Sequence, residues 1–431
     1  MKRKFRNIAV FLIAILTLFA VMGCAKKDEG KVYYLNFKPE ADAEWNRLAD
    51  VYKQQTGVDV KIVTSASGDY MNTLNAQMGK SGAPTLFQIA TKQDAENWGD
   101  YILDLKNTDV YNQLSSTDFN IVDDDGKVAG IGYCYETYGI IVNKKLLEKA
   151  GFSVENINSF KTLKNVAESI HKRRDELGFD AFTSSGLDGS SSWRFSGHLA
   201  NMPLFYEFRE NGITEQPSVI TGSYLECFKN IWDLYIDNST LDVNELSSAT
   251  IDRAEAEFGF EEAVFFQNGS WEFSNLTSGE KGYTLKPEDL TMIPIYCGAY
   301  GEEKAGLCSG TENCWAVNAT SSEKDIKATL DFLYWVVTSE EGTSMMAKTF
   351  GAIPFKAAKK SDNVFLDASM EYIDKGNYTV SWVFGLTPNV DAWRAGVVSA
   401  LLEYSTGRAD WKTVQTAFVE SWANQYKIQH G

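Results

Sequence analysis

A chain of 431 residues exceeds the roughly 250–300 at which one hydrophobic core stops growing, so two lobes are expected. A formal net charge of −17 argues against nucleic acid or an anionic lipid surface as a partner, since both require a basic patch. With 11 Trp, 20 Tyr and 25 Phe against three His, aromatic surface is the positive signal, and a His-rich metal cluster is disfavoured.

In chain order, Lys2, Arg3, Lys4 and Arg6 precede an apolar run from Ile8 to Ala20 that only Thr17 interrupts. A charged start, a short apolar run and small residues at the cut make an export signal over residues 1–23. The run is too short to span ~30 Å of hydrocarbon, and no later run approaches the ~18 residues of a membrane helix. Val21-Met22-Gly23-Cys24 resembles the lipobox of bacterial lipoproteins, in which the Cys is lipidated and becomes the new N-terminus. Val21 and Met22 depart from the usual Leu and small residue, and an ordinary secretory signal with a chance Cys is the alternative reading. Loss of residues 1–23 removes four basic residues and no acidic one, taking the net charge from −17 to −21. Acyl chains on Cys24 would anchor the protein to a membrane, each buried CH₂ adding ~0.8 kcal/mol. Residues 24–31 are then the lipidated Cys and a polar tether.

Val32 to Phe37 reads as a buried strand. Trp45, Leu48, Val51 and Tyr52 mark a helix over Glu44–Gln55 that Gly57 stops. Val58–Val63 alternates as a strand, Tyr70–Met78 is a helix and Thr85–Ala90 a strand. This rhythm implies a parallel sheet with covering helices. Asp124-Asp125-Gly126 between Phe119–Val122 and Lys127–Ile131 signals a hairpin. A calcium loop would need an Asp where Ile121 stands. Ile140–Val142 is a strand, and Asn143 caps a helix over Lys144–Ala150 that ends at Gly151. Further helices are expected near 161–177, 223–236, 253–267, 323–337, 340–349, 391–405 and 410–425. The Gly/Ser-rich Ser184–Ser192 reads as a functional loop leading into Trp193.

His171, His198 and His430 stand far apart, and the chain has no HExxH, GxSxG, P-loop or strand-linked GxGxxG. Paired-acid glycosidase chemistry stays open on composition, though no short motif isolates two acids. Sugars lay their C–H faces on aromatic rings and need carboxylate, amide or Arg partners for their hydroxyls. Trp193, Trp271 and Trp382 lie in polar, Gly/Ser-rich surroundings and are candidate stacking platforms, with Arg194 as a polar partner. Trp232, Trp335 and Trp422 sit at helical spacing among apolar residues and read as core. Cys134, Cys227, Cys297, Cys308 and Cys314 are expected mainly as buried thiols, with Cys308–Cys314 or Cys297–Cys308 bridges left open.

Several segments, spread over residues 32–425, then point one way. Thr56–Val60 followed by Gly82-Ala83-Pro84-Thr85-Leu86-Phe87 resembles the opening of the family 1 extracellular solute-binding proteins, the maltose-binding-protein-like sugar receptors of ATP-binding-cassette importers. Gly132–Lys144 with Leu147–Gly151 resembles that family's first interdomain crossing, and Phe266-Gln267-Asn268-Gly269-Ser270-Trp271 its NGxW segment. Gly310–Asn318 and Asp331–Gly342 resemble the return strand and its helix. Thr387-Pro388-Asn389 and Thr406-Gly407-Arg408 resemble the C-terminal helical pair. Pro84-Thr85, Ile131-Gly132 and Val142 depart from the family's usual Pro-Asp, Tyr-Pro and Tyr, which leaves the particular sugar open.

The resemblance implies an α/β, two-lobed periplasmic-binding-protein fold (type II). Each lobe is a mainly parallel sheet with flanking helices, and about three crossings form the hinge. Lobe 1 is expected over 32–135 plus 312–352, and lobe 2 over 136–311 plus 353–431. Carried across, Trp271 is the stacking platform and Glu136, with Tyr135 beside it, a hydroxyl acceptor at the hinge. Gln88, Thr91, Asn36 and Glu40 line the cleft at the carboxyl ends of strands. The implied partners are a neutral oligosaccharide and the permease subunits of an importer, for a monomer tethered through Cys24 without cofactor or metal. A secreted carbohydrate-active enzyme and a same-fold receptor for a peptide or polyamine are the alternatives.

Overall fold

A computed structural model of the chain describes residues 30–65, 69–351 and 353–431. The signal, Cys24 and most of the tether lie outside the described residues. Among the described residues, twelve strands form two six-stranded groups. The first sheet holds Lys31–Asn36 (β1), Asp59–Thr64 (β2), Leu86–Ile89 (β3), Ile121–Val122 (β4), Val128–Gly132 (β5) and Cys314–Val317 (β11), in the order β2-β1-β3-β11-β5-β4. The second holds Glu136–Asn143 (β6), Asp180–Phe182 (β7), Ala263–Gly269 (β8), Leu290–Ile293 (β9), Ala305–Gly310 (β10) and Tyr378–Ser381 (β12). Its order is β12-β10-β6-β8-β7, with β9 also paired to β6.

Both sheets are mixed, which corrects the expectation of mainly parallel ones. β1 runs parallel to β2 and β3, but β11 returns antiparallel between β3 and β5. β6 is antiparallel to β8, β9 and β10. Strands β6 and β11, which carry these reversals, are each the first strand after a change of sheet, while β4 and β5 form an antiparallel hairpin inside the first. The chain crosses between β5 and β6, again between β10 and β11, and a third time between the helix Glu340–Thr349 and the helix Val364–Asp374.

Local signals place several elements of both sheets. The helix Asp42–Thr56 ends at Gly57, whose φ of 81° is the left-handed conformation a C-terminal stop needs. Asn143 caps Lys144–Lys149 by accepting from the Leu146 amide at 3.1 Å. The Asp-Gly hairpin forms as β4 and β5, and Asp123 accepts from the Asp125 and Lys127 amides inside it.

One expected helix is overturned in part. The helix Ile251–Gly259 stops eight residues early, Glu261 turns the chain at φ 62°, and Ala263–Gly269 is strand β8. Every β8 residue is buried, so its apolar run shows neither period. The expected 161–177 helix breaks at Arg173 into Phe160–Lys172 and Arg174–Leu177.

The first core centres on Trp45 and Trp315, and Tyr133 stacks on Trp315 at 4.4 Å and 6°. The second gathers Phe195, Trp232, Trp393 and Trp422, with Trp393 donating to the Phe418 carbonyl at 2.9 Å. Trp335 is half-buried and donates to Gln55 at 3.0 Å. All five described cysteines are free and buried. Cys308 and Cys314 stand in different sheets, and Cys314 donates to the Phe119 carbonyl at 3.4 Å.

Candidate ligand-binding cleft

Between the sheets lies a cleft of about 490 Å³. Its first-sheet wall is Phe37–Glu40, the segment that leaves the carboxyl end of β1. Two buried amides fix that segment. Asn36 donates to the Lys38 carbonyl at 2.7 Å and accepts from the Lys38 amide at 3.2 Å. Gln88 accepts from the Phe37 amide at 2.6 Å and donates to the Tyr133 hydroxyl at 2.7 Å. Asn36 and Gln88 thus shape the wall from behind and do not line the cleft, because neither has an exposed edge to offer.

The opposite wall is aromatic. Trp271 follows β8, and its indole folds back over Gly269 into the space a Cβ there would occupy. Trp193 closes the Ser-rich loop and is pinned by donation from Nε1 to the Ser190 carbonyl at 2.7 Å. The two indoles are 5.9 Å apart, centroid to centroid, inclined at 55°. Behind them, the chain makes a π-helical turn over Arg194–Leu199, with Ala200 donating to the Phe195 carbonyl at 3.0 Å. The wider turn brings His198 under the indoles, edge-on to Trp193 at 5.0 Å and stacked on Tyr138 at 4.2 Å. Burial, and then Arg394, Lys38 and Arg194, push the His198 imidazole well below its usual range, so it is neutral at pH 7.

Trp382 lies over Gly310, 5.4 Å from Tyr138 and 5.9 Å from His198. It is half-buried and backs the aromatic wall without lining the cleft. Arg194 is 1% exposed and also stays behind the wall. It donates to the Ser184 carbonyl at 3.0 Å and Ser191 Oγ at 2.7 Å, tying down both ends of the loop that presents Trp193. Burial lowers its guanidinium to about 10.

Carboxylates outnumber cations among the cleft's polar groups. Glu40 lines it, 3.7 Å from Lys38 Nζ. Glu136 is 2% exposed, and both its oxygens are engaged by Lys38 at 2.8 and 2.9 Å. An expected hydroxyl acceptor is thus already occupied. Burial opposes charge on Lys38, but Glu136 and Glu40 hold its ammonium well above the usual range. Glu255 accepts from Lys281 at 2.7 Å and the Tyr283 hydroxyl at 3.0 Å. Glu272 accepts from Asn268 at 3.0 Å and Asn275 at 3.2 Å, and burial followed by the charge of Glu255 raises its carboxyl to about 7. Thr91 caps the helix Lys92–Asn97, and Tyr135 packs on Phe119 at 5.5 Å; neither lines the cleft.

Of the expected site residues, the cleft therefore brings together Trp193, Trp271 and Glu40. Lys38, His198, Glu272, Glu312 and Arg394 join them without having been expected. Glu272 had a sequence signal, since it follows Trp271 directly. Lys38, Glu312 and Arg394 converge only through the fold.

A model of the bacterial extracellular solute-binding proteins matches residues 47–371. The chain belongs to that family. Among solved structures, this solute-binding protein is similar to the solute-binding protein RafE in complex with raffinose, at TM-score 0.70 and 17% identity over 92% of this chain and 99% of that one. It is similar to the GacH receptor of Streptomyces glaucescens, determined unliganded and with acarbose, at 0.68 and 17% over 92% and 98%. A sugar transporter protein of Bacillus licheniformis in complex with stachyose gives 0.69 and 17% over 92% and 99%. At these identities the likeness carries the fold. No curated protein sequence matches the chain. Among the described residues, no helix is long and apolar enough to cross a membrane.

Proposed function

We propose that this protein is an extracytoplasmic receptor that closes on an oligosaccharide and delivers it to an ABC importer. The observation that carries the reading is the Trp193–Trp271 wall facing a cleft edged by buried carboxylates. Indole faces suit the C–H faces of pyranose rings, and carboxylates suit their hydroxyls. The similar structures in complex with raffinose, acarbose and stachyose support the same reading. Lobe 1 over 32–135 plus 312–352 and lobe 2 over 136–311 plus 353–431 would move about the three crossings. The ligand would stabilise the closed arrangement through contacts to both walls, a population shift needing no covalent chemistry. Acylated Cys24 would hold the receptor beside its permease at high effective concentration.

Calorimetry against a panel of oligosaccharides is the test. Micromolar or tighter binding is expected, with the sugar recovered intact after long incubation. Silence across the panel would reject the sugar, and product formation would establish an enzyme instead. Mass measurement on the mature N-terminus tests the anchor, and an unmodified Cys24 would remove it while leaving the receptor.

A further inference from the structure

The charges of the cleft do not balance. Glu40, Asp252, Glu255, Glu272 and Glu312 line it, against Lys38, Lys281 and Arg394. Two of the three cations are already committed. Lys38 holds Glu136 from behind the wall, and Lys281 holds Glu255. Arg394 has its nearest carboxylate in Asp391, at 3.9 Å and outside the cleft. Among the described residues, Glu272 and Glu312 have no cation within salt-bridge distance; Lys38 and Arg394 lie near enough to Glu312 to favour its charge without pairing with it, and Glu272 is 5% exposed. When the cleft closes on a ligand, both carboxylates lose their remaining water. A buried carboxylate without a counter-charge is costly. In the empty cleft Glu272 meets that cost by holding its proton up to about pH 7, whereas a ligand ammonium would meet it with the carboxylate ionised and a sugar hydroxyl offers only one neutral donor.

A second feature points at the same space. His198 is 4% exposed, lines the cleft beneath the two indoles, and its Nδ1 has no hydrogen-bond partner. A neutral imidazole with an unanswered nitrogen accepts from a ligand N–H or O–H. Indole faces attract cations as well as C–H surface. The described residues offer no group of three or more His, Cys, Asp or Glu able to hold a metal ion, so the counter-charge fits an organic ammonium.

We propose that the cleft is built for a saccharide bearing a protonated amino group, its ring against Trp193 and Trp271 and its ammonium answering Glu272 and Glu312. This rests on the sugar-receptor reading and replaces the neutral ligand expected from the sequence.

The test is calorimetry at pH 7 with matched probes: glucosamine and galactosamine oligosaccharides, the same compounds N-acetylated, raffinose as a neutral sugar, and spermidine. An amine form binding at least tenfold tighter than its acetamide is expected. In Glu312→Gln, and separately in Glu272→Gln, that ratio should fall at least fivefold, with circular dichroism showing each variant folded. An acetamide or raffinose binding as tightly as any amine would overturn the amino-sugar assignment and leave the receptor reading intact. Binding of spermidine alone, or of nothing, would overturn both.

Discussion

Lys38 Nζ sits 2.8 and 2.9 Å from the two oxygens of Glu136, with the side chains 5% and 2% exposed. Lys38 follows a strand of the first sheet and Glu136 opens a strand of the second, so the pair pins one wall of the cleft to the first crossing. Removing one member of such a pair leaves a buried, uncompensated charge. Glu136→Ala should cost about 3–5 kcal/mol in urea denaturation, while Lys38→Met combined with Glu136→Leu should recover most of that loss. Additive losses in the double variant would refute the coupling.

Trp271→Ala should weaken ligand binding by roughly 2–4 kcal/mol, as expected of a central aromatic anchor. The side chain is partly buried against the second core, so the melting temperature should fall as well, and circular dichroism must show the variant folded before its affinity is compared. An unchanged affinity would remove the indole from the binding surface.

Glu272 makes stability depend on pH. Its carboxyl is raised to about 7 in the folded protein. The folded state therefore holds this proton more tightly than the unfolded chain does. The stabilisation is fully present below the ordinary carboxylate range, near pH 4, and is lost as pH rises through about 7. Glu272→Gln should lose less stability than the parent between pH 4.5 and 8, by on the order of 3 kcal/mol. Melting curves across that range would settle it, and parallel profiles would exclude the shift.

Arg194→Met should loosen the cleft without touching the ligand. Its two short hydrogen bonds span Ser184 to Ser191, and their loss should cost about 1–3 kcal/mol. Hydrogen exchange should accelerate in 184–193 and stay unchanged in β1 and β3. Uniform acceleration would show a global role instead.

The five described thiols are buried, and burial pushes those of Cys308 and Cys314 up to about 12. A water-soluble disulfide reagent should leave them unmodified in the native protein and titrate all five in guanidinium. Rapid native reaction of either residue would contradict the packing.

Sequence signals that act within a few residues were legible. Gly57 after the Asp42–Thr56 helix, the Asn143 cap and the Asp-Gly hairpin each place their element without help from the rest of the fold. β8 was not legible as a strand, because residues buried on both faces carry no period. In the cleft, Trp193 and Trp271 stood out because large aromatics in polar, Gly/Ser-rich surroundings are out of place in a core. Asn36, Gln88 and Arg194 have suitable chemistry and correct neighbourhoods, yet their hydrogen bonds face backward into the walls. Which way a polar side chain turns at a strand end is decided by tertiary partners, and Lys38 answering Glu136 across 98 residues is such a case.

Gly269 presents no side chain to any ligand, yet the indole of Trp271 rests where its Cβ would be. Alanine at 269 would lift the ring from the strand end and tilt the surface a sugar meets. A saturation scan scored on ligand uptake should therefore register two intolerant positions, 271 supplying the surface and 269 only the vacancy that lets it lie flat. Selection acting on recognition reaches a backbone atom, and a receptor diverging to a new ligand would have to change the two positions together.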